Sequence, residues 1–271
     1  MQLEIQKEKE KAALQAFLSL ALKKPGDWEH DISKAPRCET SEMAAVFLHY
    51  FRTLKGEKLE FLQDMISGSV WEETLIDNTY KGIRGVRMRC LRTLSYLESQ
   101  GSLQVIFDNL ASDDKYVRLT AARCLVRRKS FCYLGPIIES LRDAFPQDYK
   151  ILAGILAKFG LESAGTLEAY ILRTQDSFVR AACLEALILI MPAKTSLDLE
   201  ALMTDESDHV RAAALSLSAT AEHDHKVDPL RLGLQDEAIS VKIRAAKWPV
   251  MSGVLTSPPI SINSQMTLSC G

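Results

Sequence analysis

The chain has 271 residues and a formal net charge of −2, from 33 basic and 35 acidic side chains. This balance excludes a general electrostatic attraction of the whole molecule to nucleic acid or to a membrane surface. The 13 glycines and 9 prolines fall well below the average shares of about 7% and 5%, which favours helices over a turn-rich β fold. A hydrophobic fraction of 47% and a charged fraction of 25% are typical of a globular protein, not of a disordered or collagenous chain.

Residues 1–80 contain three segments with helical character but without a clear repeat. They run from Leu3 to Leu22, from Ser41 to Thr53 and from Leu59 to Ile66. The apolar stretch Ala16 to Leu22 is too short for a membrane span, which needs about 17 or more apolar residues, and glutamates precede it, unlike in a signal peptide. We therefore expect residues 1–80 to form a helical N-terminal cap or degenerate repeats, with no membrane span.

Residues 81–248 repeat with a period of about 31 residues, a length typical of repeat architectures. Most copies begin with valine and a basic residue, followed by small and apolar residues, and the valines are Val86, Val117, Val179, Val210 and Val241. Their numbers increase by 31, 62, 31 and 31, and a segment beginning at Tyr149, one place out of frame, fills the double step. This regularity indicates six copies of one structural unit.

Each unit has the pattern of a helical hairpin. Apolar residues recur at positions +0, +4, +5 and +8 from the valine, as in Val179, Cys183, Leu184 and Leu187, which is the spacing of one helix face. A shorter apolar segment precedes five of the six helices, and these segments begin at Leu103, Gly135, Thr166, Leu197 and Pro229. Acidic residues such as Asp114 lie between the two segments, where they suit helix N-caps.

The acid-rich turn followed by Val-Arg and a small-residue helix resembles the HEAT repeat, especially the short bacterial HEAT-like variety found in PBS-lyase-type repeats. The resemblance covers residues 81–248 and implies an all-α fold, a right-handed α-solenoid of the armadillo/HEAT type with about six hairpins. It also implies that the second helices line a concave surface. In this family a turn aspartate and a helix-start arginine usually bond between neighbouring units. The matching basic residues, which would form a structural ladder, are Arg87, Arg118, Lys150, Arg180, Arg211 and Lys242.

The segment after the repeats differs from them in composition. No residue after Lys247 is charged, and Pro249 falls at position +8 of the last repeat helix, where proline should break it. We expect residues 249–271 to form an irregular or disordered tail.

Candidate catalytic and metal-binding residues are few. The string EHDHKVD, from Glu222 to Asp228, is the densest group of potential ligands, but histidines at i and i+2 do not match a zinc-finger or helical metalloprotease spacing. A solvated loop is the preferred interpretation and a metal site the alternative. Cys90 and Cys183 occupy a position that is alanine in other repeats, so small size accounts for them. We predict no catalytic residue, no metal and no cofactor.

The small net charge conceals two strongly charged stretches. Residues 81–129 hold 11 bases and four acids, a net charge of +7, whereas residues 195–241 hold three bases and ten acids, a net charge of −7. In the first stretch Arg92 and Arg123 fall at position +6, and Tyr96 and Arg127 at position +10, away from the buried face. These four side chains are predicted to share one surface, which is either a solvated helix face or a site for phosphates, an acidic protein segment or anionic lipid.

These observations lead to two functional hypotheses. The first is a non-enzymatic cytoplasmic scaffold, consistent with six cysteines that lack disulfide or zinc spacing. It would bind a protein or peptide partner with an acidic surface through its concave face.

The second hypothesis is a nucleic-acid-binding HEAT-like protein, similar to a DNA repair glycosylase, that uses the same groove. It ranks lower because no carboxylate lies in phase with Tyr96 and the total charge is negative.

Overall fold

The computed structural model describes residues 2–23, 34–143, 148–220 and 228–251. Within these ranges it contains fifteen α-helices and no β-strand, which confirms the all-α prediction. The chain divides into two compact units, residues 1–145 and 146–271. The division therefore falls inside the region that the sequence assigns to the repeats.

The first unit contains eight α-helices. In chain order they are α1 (Gln2–Ala21), α2 (Thr40–Thr53), α3 (Glu57–Ile66), α4 (Val70–Lys81), α5 (Arg84–Leu94), α6 (Gln100–Asp108), α7 (Lys115–Val126) and α8 (Leu134–Leu141). Helices α2, α5 and α7 pack side by side in that order, α4 and α6 cover α5 and α7, and α1 packs against α2. The core between them includes Phe47, Leu75, Leu91 and Leu125, which are fully buried. Helix α4, the hairpin partner of α5, was not predicted.

The second unit contains seven α-helices. They are α9 (Tyr149–Leu156), α10 (Ala164–Arg173), α11 (Ser177–Ile190), α12 (Leu199–Leu202), α13 (Asp208–Ser218), α14 (Pro229–Gln235) and α15 (Ile239–Met251). Helices α9, α11, α13 and α15 pack in sequence, and α10, α12 and α14 pack against α11, α13 and α15. The helices that begin with the repeated valine thus occupy successive places in one row.

The acidic residues between the paired helices act as N-caps, as the sequence predicts. The Asp114 carboxylate accepts hydrogen bonds from the backbone N–H groups of Tyr116 and Val117. Asp176 accepts equivalent bonds at the start of α11, and Asp228 caps α14 ahead of Pro229. Each carboxylate satisfies N–H groups that have no partner within the helix, so these caps stabilise the starts of the second helices α7 and α11 and of the first helix α14. The second helices α5, α9 and α13 begin without such a bond at the N-cap residue.

Helix α14 lies unusually close to its neighbours at Gly233. A β-carbon placed on this glycine would lie 2.6 Å from Leu215 Cδ2 and 2.8 Å from the β-carbon of Ala245. The absence of a side chain therefore lets the short helix α14 approach both α13 and α15.

The last helix differs from the prediction. Helix α15 continues through Pro249 to Met251, so the expectation that this proline breaks the helix is wrong. A proline near the last turn of a helix removes a single backbone hydrogen bond and can bend the helix without ending it. The remainder of the predicted tail, residues 252–271, lies outside the described residues.

Candidate anion-binding site

The first unit contains a cleft of about 240 Å³ between the ends of α2, α5 and α7. We call it the arginine cleft. It is lined by Leu48, Arg52, Arg92, Ser95, Tyr96, Thr120, Arg123, Cys124 and Arg127. The four residues that helical phase places on one surface, Arg92, Tyr96, Arg123 and Arg127, therefore all lie in one cleft.

The arginines reach the cleft because of their places on the packed helices. Arg92 and Arg123 are equivalent positions of α5 and α7, one repeat apart, and both side chains are exposed while their neighbours Leu91 and Cys124 are buried. Arg127 directly follows the last residue of α7. Because α5 and α7 pack side by side, the equivalent residues Arg92 and Arg123 lie on the same surface.

Aromatic stacking positions one of the four guanidinium groups. The ring of Tyr96 stacks on that of Phe51, with centroids 5.0 Å apart and planes inclined by 13°. The guanidinium carbon of Arg127 lies 3.8 Å from the centroid of the same Tyr96 ring. The side-chain amide of Gln63 donates to the backbone carbonyl of Tyr96 at 2.5 Å. A cation over an aromatic face is electrostatically favourable, so Tyr96 holds Arg127 in a defined orientation.

The base of the cleft is formed by buried groups that offer no nucleophile. Burial raises the pKa of the Cys124 thiol to about 11, although the charges of Arg127 and Arg92 act in the opposite direction. The thiol therefore stays protonated at neutral pH. The hydroxyl groups of Ser95 and Thr120 donate to backbone carbonyls of their own helices. The arrangement is suited to binding an anion and not to covalent catalysis.

Within the part of the chain that the structure describes, the four cleft arginines form no ion pair. Most other bases of the +7 stretch are engaged within the protein. Arg84 pairs with Asp114, Lys81 pairs with Asp77, Arg89 donates to Ser41, and Arg128 donates to the carbonyl of Leu97. The cleft thus gathers three arginines of this stretch, together with Arg52, and none of the four has an acidic partner among the described residues.

Sequence reasoning missed Arg52, the fourth arginine of the cleft, and the stacking partner Phe51. Both lie on α2, outside the repeat. The side chain of Thr93 donates to the carbonyl of Ala44 on α2, a separation of 49 residues, whereas Cys124 donates to that of Leu91 at a separation of 33. Because α2 does not keep the repeat spacing, projection from the repeats could not place Arg52 beside Arg92.

Three of the six residues of the predicted ladder bond to the turn of the following repeat. Arg180 contacts the Asp205 carboxylate at 2.9 Å, and Arg211 donates to Asp236 at 2.7 and 2.9 Å. Arg87 donates to Ser112 Oγ at 3.0 Å.

The other ladder positions depart from this arrangement. Arg118 donates to the carbonyl of Ser140 at 2.9 Å, not to an acid. Lys150 and Lys242 are exposed.

A second polar cluster lies in the second unit and was not predicted. The buried carboxylate of Glu185 pairs with Arg244, and Arg244 also donates to Ser216 Oγ at 3.0 Å. Burial, and then the Glu185 charge, raise the pKa of Tyr149 to about 12. The adjoining cleft of about 450 Å³ has a mixed lining that includes Asp148, Lys150, His209, Arg244 and Lys247. Because Arg244 is already paired, this cluster is suited to joining helices.

The described residues contain no group of three or more histidine, cysteine, aspartate or glutamate side chains placed to hold a metal ion. Residues 222–227, most of the predicted ligand string EHDHKVD, lie outside them. In the same ranges, no helix combines the length and the apolar character that crossing a membrane requires.

No protein-family model matches this chain, and no curated protein matches it.

Proposed function

We propose that this protein is a non-enzymatic scaffold or adaptor that binds a protein or peptide partner with an acidic surface, and that the arginine cleft is the binding site. The observation that supports this most strongly is the convergence of Arg52, Arg92, Arg123 and Arg127 in one cleft without an internal counter-charge among the described residues. Charge of one sign in a concave, partly apolar site attracts ligands of the opposite charge and accelerates their association.

We propose further that the chain is a right-handed α-solenoid of the HEAT type. The support is the packing order within each unit, where helices that begin with the repeated valine lie in one row and their hairpin partners cover them. In such a solenoid the second helices face the concave side. Arg92, Arg123 and Arg127 lie on or directly after second helices, so the cleft would open on that side. The cysteine pattern of the sequence supports a cytoplasmic location.

A protein partner is favoured over a nucleic acid by the compactness of the site. A nucleic-acid backbone carries regularly spaced phosphates and is bound by a row of bases along a groove, with aromatic rings free to stack on the nucleobases. Here most basic side chains around the cleft are engaged within the protein, and Tyr96 already contacts Phe51 and Arg127. A nucleobase could stack on Tyr96 only by displacing one of these groups.

Equilibrium binding of labelled ligands tests the proposal. Fluorescence anisotropy would compare a Glu/Asp-rich peptide, the same peptide with Gln/Asn replacements, and a single-stranded oligonucleotide of equal charge. The proteins would be wild type, the double variant Arg92→Glu/Arg123→Glu, and Lys129→Glu. Lys129 is an exposed base of the same unit outside the cleft, so it controls for charge alone.

We expect the acidic peptide to bind wild type and Lys129→Glu and not the double variant. The amide peptide should not bind any of the three proteins. Tighter binding of the oligonucleotide than of the acidic peptide, with a steep salt dependence that the double variant removes, would instead support the nucleic-acid hypothesis.

A further inference from the structure

We propose that the arginine cleft recognises a phosphorylated side chain of the partner, such as phosphoserine or phosphothreonine. This inference rests on the proposed function and specifies the ligand. It follows from the charge, the geometry and the size of the site.

The charge of the arginine cleft favours a phosphate over a carboxylate. Four guanidinium groups line the cleft, and no acidic residue is among its lining residues. A carboxylate supplies one negative charge and two acceptor oxygens, whereas a phosphate monoester supplies a charge of about −1.5 to −2 and three acceptor oxygens at pH 7. With a third acceptor oxygen and more negative charge, a single phosphate monoester can therefore accept hydrogen bonds from more of these arginines at once than a single carboxylate can.

The orientation of the Arg127 side chain suits two parallel hydrogen bonds to a phosphate. Its guanidinium lies over the face of Tyr96, with the central carbon 3.8 Å from the ring centroid. Stacking through the face leaves the N–H groups at the edge of the guanidinium free to donate, and these form the two parallel bonds typical of arginine with phosphate. Because Tyr96 already orients the side chain, less conformational entropy is lost when the ligand binds.

The apolar lining and the volume of the cleft also favour a phosphorylated side chain. The side chains of Leu48 and Cys124 line the cleft between the arginines and are buried. An apolar base lowers the local dielectric constant, and this strengthens the attraction between guanidinium groups and a bound anion. A volume of about 240 Å³ is compatible with one phosphorylated side chain and not with a length of nucleic-acid backbone.

Isothermal titration calorimetry with three matched peptides tests the inference. The peptides are short chains of Gly, Ala and Ser that carry at the central position phosphoserine, glutamate or unmodified serine. Each is titrated into wild type and into Arg92→Gln, Arg123→Gln and Arg127→Gln, with Lys129→Gln as matched control. Far-ultraviolet circular dichroism melts establish that every variant is folded.

We expect wild type to bind the phosphoserine peptide at least about tenfold more tightly than the glutamate peptide, because charge-assisted bonds to phosphate outnumber those to a carboxylate. Each cleft substitution should weaken phosphopeptide binding by about tenfold, and Lys129→Gln by less than about twofold. The affinity of wild type should fall as the pH is lowered through about 6, where the phosphate gains its second proton.

Other results would overturn the inference, and they separate it from the proposed function. Equal affinity for the phosphoserine and glutamate peptides would contradict phosphate recognition and leave the acidic-partner proposal in place. If neither the phosphoserine nor the glutamate peptide binds while the Glu/Asp-rich peptide still does, phosphate recognition is likewise contradicted and the acidic-partner proposal stands. If no acidic peptide binds, both proposals are wrong. A 5′-phosphorylated oligonucleotide is titrated in parallel, and tighter binding of it than of the phosphopeptide would assign the cleft to nucleic acid.

Discussion

Arg211 donates two hydrogen bonds to the carboxylate of Asp236, which lies 25 residues further along the chain in the next repeat. Arg211 also donates to the backbone carbonyls of Asp205 and Glu206 in its own turn. One side chain thus connects two successive turns. Both partners are largely buried, with side-chain exposures of 18% and 11%, so the pair is less weakened by solvent than a surface ion pair.

Replacing Arg211 should therefore destabilise the protein. Arg211→Met removes bonds to a charged acceptor and leaves the Asp236 carboxylate with fewer partners, at a cost of about 2 kcal/mol. Lys242→Met is the matched control, because Lys242 occupies the same repeat position but is exposed, and it should change the free energy of unfolding by less than about 0.5 kcal/mol. Urea denaturation followed by circular dichroism measures both values. Equal effects would show that Arg211 has no special structural role.

The same pair gives the protein a pH-dependent stability. The hydrogen bond from Arg211 holds the pKa of Asp236 below its usual value. A carboxyl group whose pKa is lowered by folding stabilises the native state above its unfolded pKa of about 3.9, and this stabilisation is lost as the pH falls through the folded pKa. Asp236→Asn should therefore be less stable than wild type at pH 7, and the difference should shrink below about pH 4. Thermal melts from pH 7 to pH 3 test this, and a difference that is constant with pH would contradict it.

Two glycine substitutions should have opposite effects on the free energy of unfolding, because Gly233 lies close to neighbouring side chains and Gly154 does not. Gly233→Ala would place a β-carbon 2.8 Å from that of Ala245, and this overpacking should cost about 1–3 kcal/mol. Gly154 lies in helix α9 with no atom within 4 Å of an added β-carbon, so Gly154→Ala should stabilise by about 0.5–1 kcal/mol through helix propensity. Denaturant unfolding of the two variants decides the matter, and the prediction is wrong if Gly233→Ala is neutral.

Thiol reactivity should follow burial. Burial raises the pKa values of Cys90 and Cys183 to about 12, whereas Cys132 is exposed. Because the thiolate is the reactive species, iodoacetamide at pH 8 should label Cys132 before Cys90 and Cys183, which should stay unlabelled until the protein unfolds. Peptide mass spectrometry at several reaction times measures each site, and fully denatured protein is the control. Rapid labelling of Cys183 in native protein would contradict its buried position.

Most of the helix positions and cleft residues that could be predicted from the sequence followed from the repeat pattern. The period of about 31 residues located the second helices, and helical phase brought Arg92, Arg123 and Arg127 to one surface. Features that depend on packing outside the repeat could not be found in this way. Arg52 joins the cleft because α2, which lies outside the repeat, packs beside α5. Arg244 bonds to both Glu185, 59 residues away, and Ser216. Glu185 and Ser216 are equivalent repeat positions, but Arg244 is not, so the period alone could not identify this contact.

Quantitative affinity capture from the native host is the most direct test of whether the arginine cleft binds an acidic protein partner. Wild type, Arg92→Glu/Arg123→Glu and Lys129→Glu would be compared under nuclease treatment, and retained proteins identified by mass spectrometry. We expect at least one acidic protein to be retained by wild type and Lys129→Glu and lost from the double variant, and its purified form to bind wild type directly. Identical sets of retained proteins for all three baits would contradict this expectation.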